Sequence, residues 1–174
     1  MASKQHKSAG KKVKPSGPAA TAVLWGLDPS FGQAASEKGE AVREVLRELG
    51  VRVRVAAPAR LGDAAGAFAG LVGYRPAFTD YAGPLPQGEF VLLCNLNNAQ
   101  VDGFIAGCRE AGCVVGAKAV LTPANRSWPL VRLIEAVSAE HADRTKGQSL
   151  CPLPARPAGG ATLEGLNPAA KDRP

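Results

Sequence analysis

The order of apolar patterns along the chain most constrains its fold, because the same order occurs twice. Residues 22–27 form a short apolar run that predicts a strand, and residues 41–49 carry apolar side chains at helical spacing. Valine and arginine alternate over residues 51–55, which is typical of a strand with one solvated face. Residues 63–72 predict a weaker, alanine-rich helix. The first half, residues 21–72, is therefore predicted as β-α-β-α.

The same order returns in residues 90–142, after a Gly- and Pro-rich connector. Apolar runs predict strands at 90–96 and 114–122, and helical spacing predicts helices around 101–108 and 130–137. Three pairs of segments correspond: Val23-Leu24 with Val91-Leu92, Glu48-Leu49-Gly50 with Glu110-Ala111-Gly112, and Val55 with Val120. We interpret the repeat as an internal duplication; the alternative is an α/β rhythm that arose by convergence.

This order of elements predicts an α/β fold with one small sheet. Strands joined by a helical connection pair in parallel and cross over right-handed. We therefore expect a mixed or parallel four-stranded sheet packed against four helices. The two apolar strands, 22–27 and 90–96, should be central, and the half-polar strand 51–56 should lie nearer an edge. The domain should span residues 21–142.

The segments that flank this domain have a different composition. Residues 1–20 and 143–174 are rich in Lys, Ala, Gly and Pro, and we expect both to be disordered tails. The formal net charge is +6, yet residues 15–142 carry eleven basic and twelve acidic side chains. Five lysines and no acid fall in the first fourteen residues: Lys4, Lys7, Lys11, Lys12 and Lys14. This tail is the candidate nucleic-acid-binding segment, through salt-dependent contacts to phosphates.

Several functional classes lack support in the sequence. It contains no dinucleotide fingerprint, P-loop or zinc-binding helix motif, so we expect no cofactor and no metal. The apolar runs are too short to cross a bilayer, and no secretory signal precedes Pro15. We therefore expect a cytoplasmic protein with reduced cysteines, without a membrane association. Cys94 and Cys108 fall on apolar patterns and are expected to be buried.

The densest polar cluster runs from Lys118 to Trp128, off the end of a predicted strand and into the last helix. Ligands of open α/β sheets bind beyond the carboxyl ends of strands. Asn125 or Ser127 would cap the helix and leave amide groups that favour an anion. The candidate ligand-binding residues are Lys118, Thr122, Asn125, Arg126, Trp128 and, at the end of the neighbouring strand, Asn95. The alternative is that these residues only form a cap and a strand end.

A resemblance to a known family covers part of this cluster. Lys118-Ala-Val-Leu-Thr, followed by Asn125, Trp128 and Glu140-His141, resembles the pattern of a bacterial domain-of-unknown-function family, DUF3783. The resemblance extends over about residues 90–141. It implies a bacterial protein and supplies no activity, because the family itself is uncharacterised.

Three functions follow from these observations. The leading hypothesis is a non-enzymatic binding or regulatory module for a small anionic ligand or a protein partner. In it, Lys118 and Arg126 supply charge, Thr122 and Asn125 supply hydrogen bonds, and Trp128 supplies an apolar wall. The first alternative is a nucleic-acid-associated protein that binds through its basic N-terminal tail. The second is an enzyme with Lys118 or Cys94 as nucleophile, which ranks last because the sequence pairs neither residue with a base.

Overall fold

The computed structural model describes residues 18–77 and 79–149, and these residues form a sheet of four strands with helices on both faces. The elements follow in the order β1 Thr21–Trp25, α1 Gln33–Glu48, β2 Arg52–Val55, α2 Ala65–Phe68, β3 Phe90–Cys94, α3 Asn98–Glu110, β4 Ala117–Val120 and α4 Leu130–Ser149. Short 3-10 helices at Pro29–Phe31 and Pro58–Arg60 lie in the loops before α1 and α2. The predicted α/β class and the four strands are confirmed.

The sheet is mixed, with strand order β2-β1-β3-β4. β1 pairs in parallel with β2, β3 pairs in parallel with β4, and the two central strands pair antiparallel. Every residue of β1 and β3 is buried, whereas β2 and β4 expose about half of their residues or more. Strands that are apolar on both faces are most stable where helices cover both faces of the sheet. The predicted central and edge positions are therefore confirmed.

Two apolar cores lie on the two faces of this sheet. Side chains of α1 and α3, such as Leu46 and Phe104, pack on one face with Ala22, Leu24, Val91 and Leu93. Side chains of α2 and α4, such as Ala65 and Ile134, pack on the other face with Val23, Trp25, Phe90, Leu92 and Cys94. Alternate residues of each central strand thus point to opposite cores, as the pleat requires.

Three helix boundaries differ from those predicted. α1 begins at Gln33, eight residues before the apolar spacing that marked it, and it includes Gly39. α2 has only four residues, within the predicted 63–72. α4 continues to Ser149, past residue 142, where the sequence predicted the domain to end. The N-terminal lysines and Cys151 lie outside the described residues.

α1 and α3 end in the same way. The amide of Val51 donates to the carbonyl of Leu46, and the amide of Cys113 donates to that of Cys108, both at 2.9 Å. Gly50 and Gly112 lie just past the helix ends with φ of 68° and 66°. This Schellman arrangement places glycine where a left-handed backbone is required, and it occurs at both Glu48-Leu49-Gly50 and Glu110-Ala111-Gly112.

The register of the sheet relates the two halves more closely. Val23 lies opposite Leu92 at the centre of the β1–β3 pairing. Val55 pairs with Leu24 and Val120 with Leu93, so Val55 and Val120 occupy equivalent places. By the same register the counterparts of Val23-Leu24 are Leu92-Leu93. The predicted match to Val91-Leu92 was therefore wrong by one residue, because apolar runs alone do not fix a register.

The amino ends of α2 and α4 are joined by four reciprocal hydrogen bonds, which we call the clasp. The amides of Ala65 and Gly66 donate to the carbonyls of Trp128 and Arg126 at 2.9 and 2.8 Å. Those of Leu130 and Val131 donate to the carbonyls of Asp63 and Leu61, both at 2.9 Å. The pair Ala64 and Pro129 forms an isolated antiparallel bridge at the centre. The clasp thus satisfies the first amides of both helices, which would otherwise lack intrahelical partners.

Candidate functional site at the outer edge of strand β4

Asn125 is a structural residue of the loop that follows β4. Its Oδ1 accepts from the amide of Thr122 at 2.8 Å, and its Nδ2 donates to the carbonyl of Val120 at 3.1 Å. The carbonyl of Thr122 in turn accepts from the amides of Asn125 and Arg126. One asparagine therefore uses its donor and its acceptor to close a single turn, as Asx side chains commonly do.

The predicted cap of the last helix by Asn125 or Ser127 was wrong. α4 begins at Leu130, so neither Asn125 nor Ser127 caps it. The amides of Leu130 and Val131, which a bound anion would use, donate to carbonyls in the clasp. The sequence signals for a cap were present, but residues 61–63 from the other half supply the acceptors instead.

The remaining predicted residues lie at the same end of the sheet without forming one pocket. Trp128 is half-buried against the α2–α4 core, and the guanidinium of Arg132 stacks 4.7 Å from the centroid of its ring. Arg126 is exposed. Asn95 is exposed at the carboxyl end of β3 with φ of 59°. Trp128 therefore serves as a packing residue, and the loop offers no enclosed apolar wall.

Lys118 lies apart from that loop and lines a polar cavity of about 280 Å³ between β4 and α4. We call it the β4–α4 cavity; it is lined by Gly116, Lys118, Val137, Glu140, His141 and Arg144. Lys118 comes from the strand, and the other charged side chains come from successive turns of the helix. The cavity is near the amino end of β4, whereas the expected ligand position was beyond its carboxyl end.

The floor of the β4–α4 cavity is Gly116. A Cβ atom at this position would lie 2.4 Å from Nε2 of His141, so the imidazole occupies the space that a larger residue would fill. The amide of Gly116 donates to the carboxylate of Glu89 at 3.3 Å, and the same carboxylate pairs with Lys38 at 2.6 Å. Glu89 also lines an adjoining cavity with Gly116 and His141, and its carboxylate is paired with Lys38.

The charges around the cavity are unequal in number. Glu140 is the single carboxylate among the lining residues, and it forms an ion pair with Arg144. The ammonium of Lys118 donates to the carbonyl of Val115 at 3.0 Å, a neutral partner that leaves its charge uncompensated. With two cationic side chains, Lys118 and Arg144, and one carboxylate, the lining of this cavity carries more positive than negative charge.

A second, smaller cavity lies beside Lys118 on the other face of the sheet. We call it the β4–α3 cavity; its volume is about 150 Å³. Its walls are mostly apolar and include Phe104, Ile105, Val114 and Val115, with Cys108 and Arg109 at the helix and Lys118 at the strand. Lys118 thus lines both cavities, of which the β4–α3 cavity is mostly apolar and the β4–α4 cavity is polar.

The buried thiols have the properties of core residues. Burial raises the pKa of Cys94 to about 12, against a small opposing effect of Arg54. Burial, together with a hydrogen bond to Cys113, raises the pKa of Cys108 to about 12. A thiol that holds its proton is a poor nucleophile and a poor metal ligand. Within residues 18–77 and 79–149, no group of three or more His, Cys, Asp or Glu side chains is placed to hold a metal ion.

Two features of this surface were missed by sequence reasoning. His141 and Arg144 were not among the candidate residues, although Glu140-His141 ended the family pattern and pointed to the helix.

The largest cavity that we describe, about 510 Å³, lies beyond the carboxyl end of β1 and is lined by Phe31, Ala34, Ala35, Lys38 and Glu89, among others. Its one charged pair, Lys38 with Glu89, is already satisfied. Phe31 packs against Trp25 with ring centroids 4.9 Å apart, and no sequence pattern signals this contact.

Comparison with known proteins agrees with the resemblance and adds no function. Residues 89–143 match the family model described as "Domain of unknown function (DUF3783)". The matched segment starts one residue before β3 and ends within α4, so it covers the second half of the fold and most of the β4–α4 cavity. No curated protein matches the chain, and no solved structure does. No helix within the described part of the chain has the length and apolar character needed to cross a membrane.

Proposed function

We propose that this protein is a non-enzymatic binding module and that the β4–α4 cavity takes a small phosphate- or carboxylate-bearing anion. The observation that carries the proposal is that Lys118, His141 and Arg144 line one cavity whose single carboxylate, Glu140, is paired with Arg144, which leaves the charge of Lys118 in excess. Arginine offers a fork of donors to such groups, and lysine adds a point charge. A regulatory role would follow from the partner or metabolite that carries the anion.

Binding is favoured over catalysis by the residue types at the cavity. Its lining contains no Ser, Thr or Cys that could attack a substrate. The two thiols with raised pKa values lie in the cores, and Lys118 is held by a backbone carbonyl. Charge and hydrogen-bond donors are sufficient to hold an anion, whereas nucleophilic catalysis requires an activated nucleophile next to a base.

The test is a thermal-shift and calorimetric titration of the full chain with inorganic phosphate and with acetate. A ligand that binds the native state raises its stability by mass action. Lys118→Ala should weaken binding at least tenfold, and Arg126→Ala, an exposed loop residue outside the cavity, should leave it unchanged. If Arg126→Ala abolishes binding instead, the anion is held at the end of the loop, where the sequence first placed it.

A second variant probes the same cavity without removing charge. Gly116→Ala would place a Cβ atom 2.4 Å from Nε2 of His141 and force the exposed imidazole aside. Its stability should change by less than about 1 kcal/mol, since the neighbour that must yield is the end of an exposed side chain. Anion affinity should fall, and unaltered affinity would remove His141 from the proposed site.

The internal repeat supports a further part of this proposal: the chain arose by duplication of a β-α-β-α unit. The shared Schellman ends, the equivalent registers of Val55 and Val120 and the reciprocal clasp support it. The family match to residues 89–143 agrees, because its extent is that of one unit. The halves have since diverged: α2 has four residues and α4 has twenty, so the first half has no counterpart of His141 and Arg144.

Nucleic-acid binding by the N-terminal lysines is the alternative function. Five positive charges without an acid within fourteen residues support it. Deleting residues 1–14 should abolish retention on heparin at low salt, and full retention would remove the idea. We also propose a cytoplasmic location, because Cys94, Cys108 and Cys113 are all free thiols.

A further inference from the structure

The outer edge of β4 has backbone groups that face away from the sheet. The amide of Leu121 donates to the carbonyl of Leu93 across the β3–β4 pairing. In a parallel pair, alternate residues direct their amide and carbonyl groups to the same neighbour. Lys118 and Val120 therefore direct theirs outward. The side chain of Asn125 donates a hydrogen bond to the carbonyl of Val120. The amide and carbonyl of Lys118 and the amide of Val120 also face outward and have no partner among the described residues.

The two cavities beside Lys118 lie on opposite faces of the sheet at this same edge. α3 belongs to the core on one face and α4 to the core on the other. A strand added next to β4 would send successive side chains to opposite faces. Neighbouring residues of such a strand would therefore meet the β4–α3 cavity and the β4–α4 cavity in turn.

We propose that an extended segment of a partner protein adds to the outer edge of β4 as a fifth strand. One small apolar side chain of that segment enters the β4–α3 cavity. The adjacent residue is acidic, and its carboxylate enters the β4–α4 cavity. The inference rests on the proposed function, since this carboxylate is the anion that the β4–α4 cavity binds. Strand addition gains affinity from main-chain hydrogen bonds and specificity from alternate side-chain pockets.

The sizes of the two cavities favour side chains over a free small molecule. Their volumes are about 150 and 280 Å³, whereas pockets for drug-sized ligands start at roughly 300 Å³. The first is lined mostly by apolar side chains, although Arg109 and Lys118 also border it, and the second is polar with an excess of positive charge. A segment with one apolar and one acidic residue side by side complements both.

Lys118 also determines which segments are accepted. A lysine on an edge strand opposes pairing with an uncharged or basic strand, because its charge would have to be desolvated there. An acidic neighbour neutralises that charge. The opposite edge, β2, has Val55 at the place of Val120, yet the four-residue α2 supplies no equivalent of His141 or Arg144. The proposal therefore assigns the partner to β4 and not to β2.

The probe is the peptide acetyl-Thr-Val-Asp-Val-Thr-amide, titrated into the full chain by calorimetry and by NMR. Val120→Pro removes the outward amide of Val120 and no hydrogen bond to β3. It should weaken peptide binding at least tenfold and leave phosphate binding unchanged. Val55→Pro makes the equivalent change on β2 and should leave peptide binding unchanged. Replacing Asp by Lys in the peptide should abolish binding.

The outcomes separate this inference from the proposed function. Phosphate binding without peptide binding to the unsubstituted chain overturns the strand addition alone, and loss of both overturns the anion site as well. Equal peptide affinity of Val120→Pro and the unsubstituted chain also overturns it. If Val120→Pro does not fold, a peptide N-methylated at both valines is titrated into the unsubstituted chain: loss of binding supports the inference, and retained affinity overturns it.

Discussion

Asn125 is the residue on which the loop after β4 depends most. Its side chain holds the amide of Thr122 and the carbonyl of Val120 together. Asn125→Ala should lower the free energy of unfolding by about 1–2 kcal/mol, because two hydrogen bonds of a partly buried side chain are lost. Urea denaturation measures the change. Arg126→Ala, the exposed neighbour, is the control, and equal midpoints for the two variants would contradict this role.

The buried thiols make stability depend on pH in the alkaline range. The pKa values of Cys94 and Cys108 are raised to about 12 by burial, whereas the pKa of a thiol in the unfolded chain is 9.0. Above pH 9 the unfolded chain releases protons that the native chain retains, so the free energy of unfolding falls as pH rises from 9 towards 12.

The measurement compares the chain with its Cys94→Ala variant by urea denaturation at pH 8 and pH 10. Cys94 should account for about 1 kcal/mol of the loss between these pH values, so the loss should be smaller in the variant. An identical loss in both proteins would show that Cys94 titrates normally in the native state.

The residue types in the sequence predicted where polar side chains cluster, but not which contacts each side chain makes. Lys118, Thr122, Asn125 and Trp128 do cluster along the chain near the end of β4. Asn125 closes a turn and Trp128 packs against the core, because each has partners within hydrogen-bonding or packing distance. His141 was missed because it is brought to Lys118 by the packing of α4 on β4, a contact that no spacing in the sequence encodes.

At the scale of elements, α1 illustrates how a close contact hides a helix boundary. Gly39 precedes the apolar spacing of residues 41–49 that predicts this helix, yet it lies in the second turn of α1. A Cβ atom there would lie 2.0 Å from the carbonyl oxygen of Leu27. Glycine lets the helix approach the backbone that follows β1. The central positions of β1 and β3, by contrast, were predicted, because their full burial follows from their uniform apolar composition.

This contact predicts opposite effects for two helical glycines. Gly39→Ala should destabilise the chain by more than about 1 kcal/mol, because backbone must move and the gain of roughly 1 kcal/mol in helix propensity is outweighed. Gly103→Ala in α3 would meet only the end of Leu49, 2.9 Å from its Cδ2. That side chain can yield, so the second variant should be neutral or more stable. Thermal melts of the two variants decide; equal destabilisation would contradict the argument.

Two sets of contacts hold the first and second halves of the molecule together along the line where they meet, the midline. Five residue pairs join β1 to β3, and the four hydrogen bonds of the clasp join α2 to α4. Both cores contain side chains from both halves. The halves therefore form one cooperative unit, and neither buries its share of the cores alone.

Cutting the connector should accordingly leave the halves together. A protease site inserted at the exposed residues 82–85 would be cleaved in the folded full chain. Native mass spectrometry should then detect a 1:1 complex of the two fragments, because the midline contacts do not depend on the connector being intact. The uncut variant is the control. Separate fragments after cleavage would mean that the connector, and not the midline, holds the halves.

The antiparallel pairing of β1 with β3 has a consequence for what one copy of this protein can hold. In an all-parallel sheet every strand ends on the same side, so there is one crevice for ligands. Here β1 and β2 end at one pole of the molecule, beside the cavity at Phe31, and β3 and β4 end at the other, beside Asn125. The molecule is therefore double-ended, with the loops that follow its strands divided between two poles.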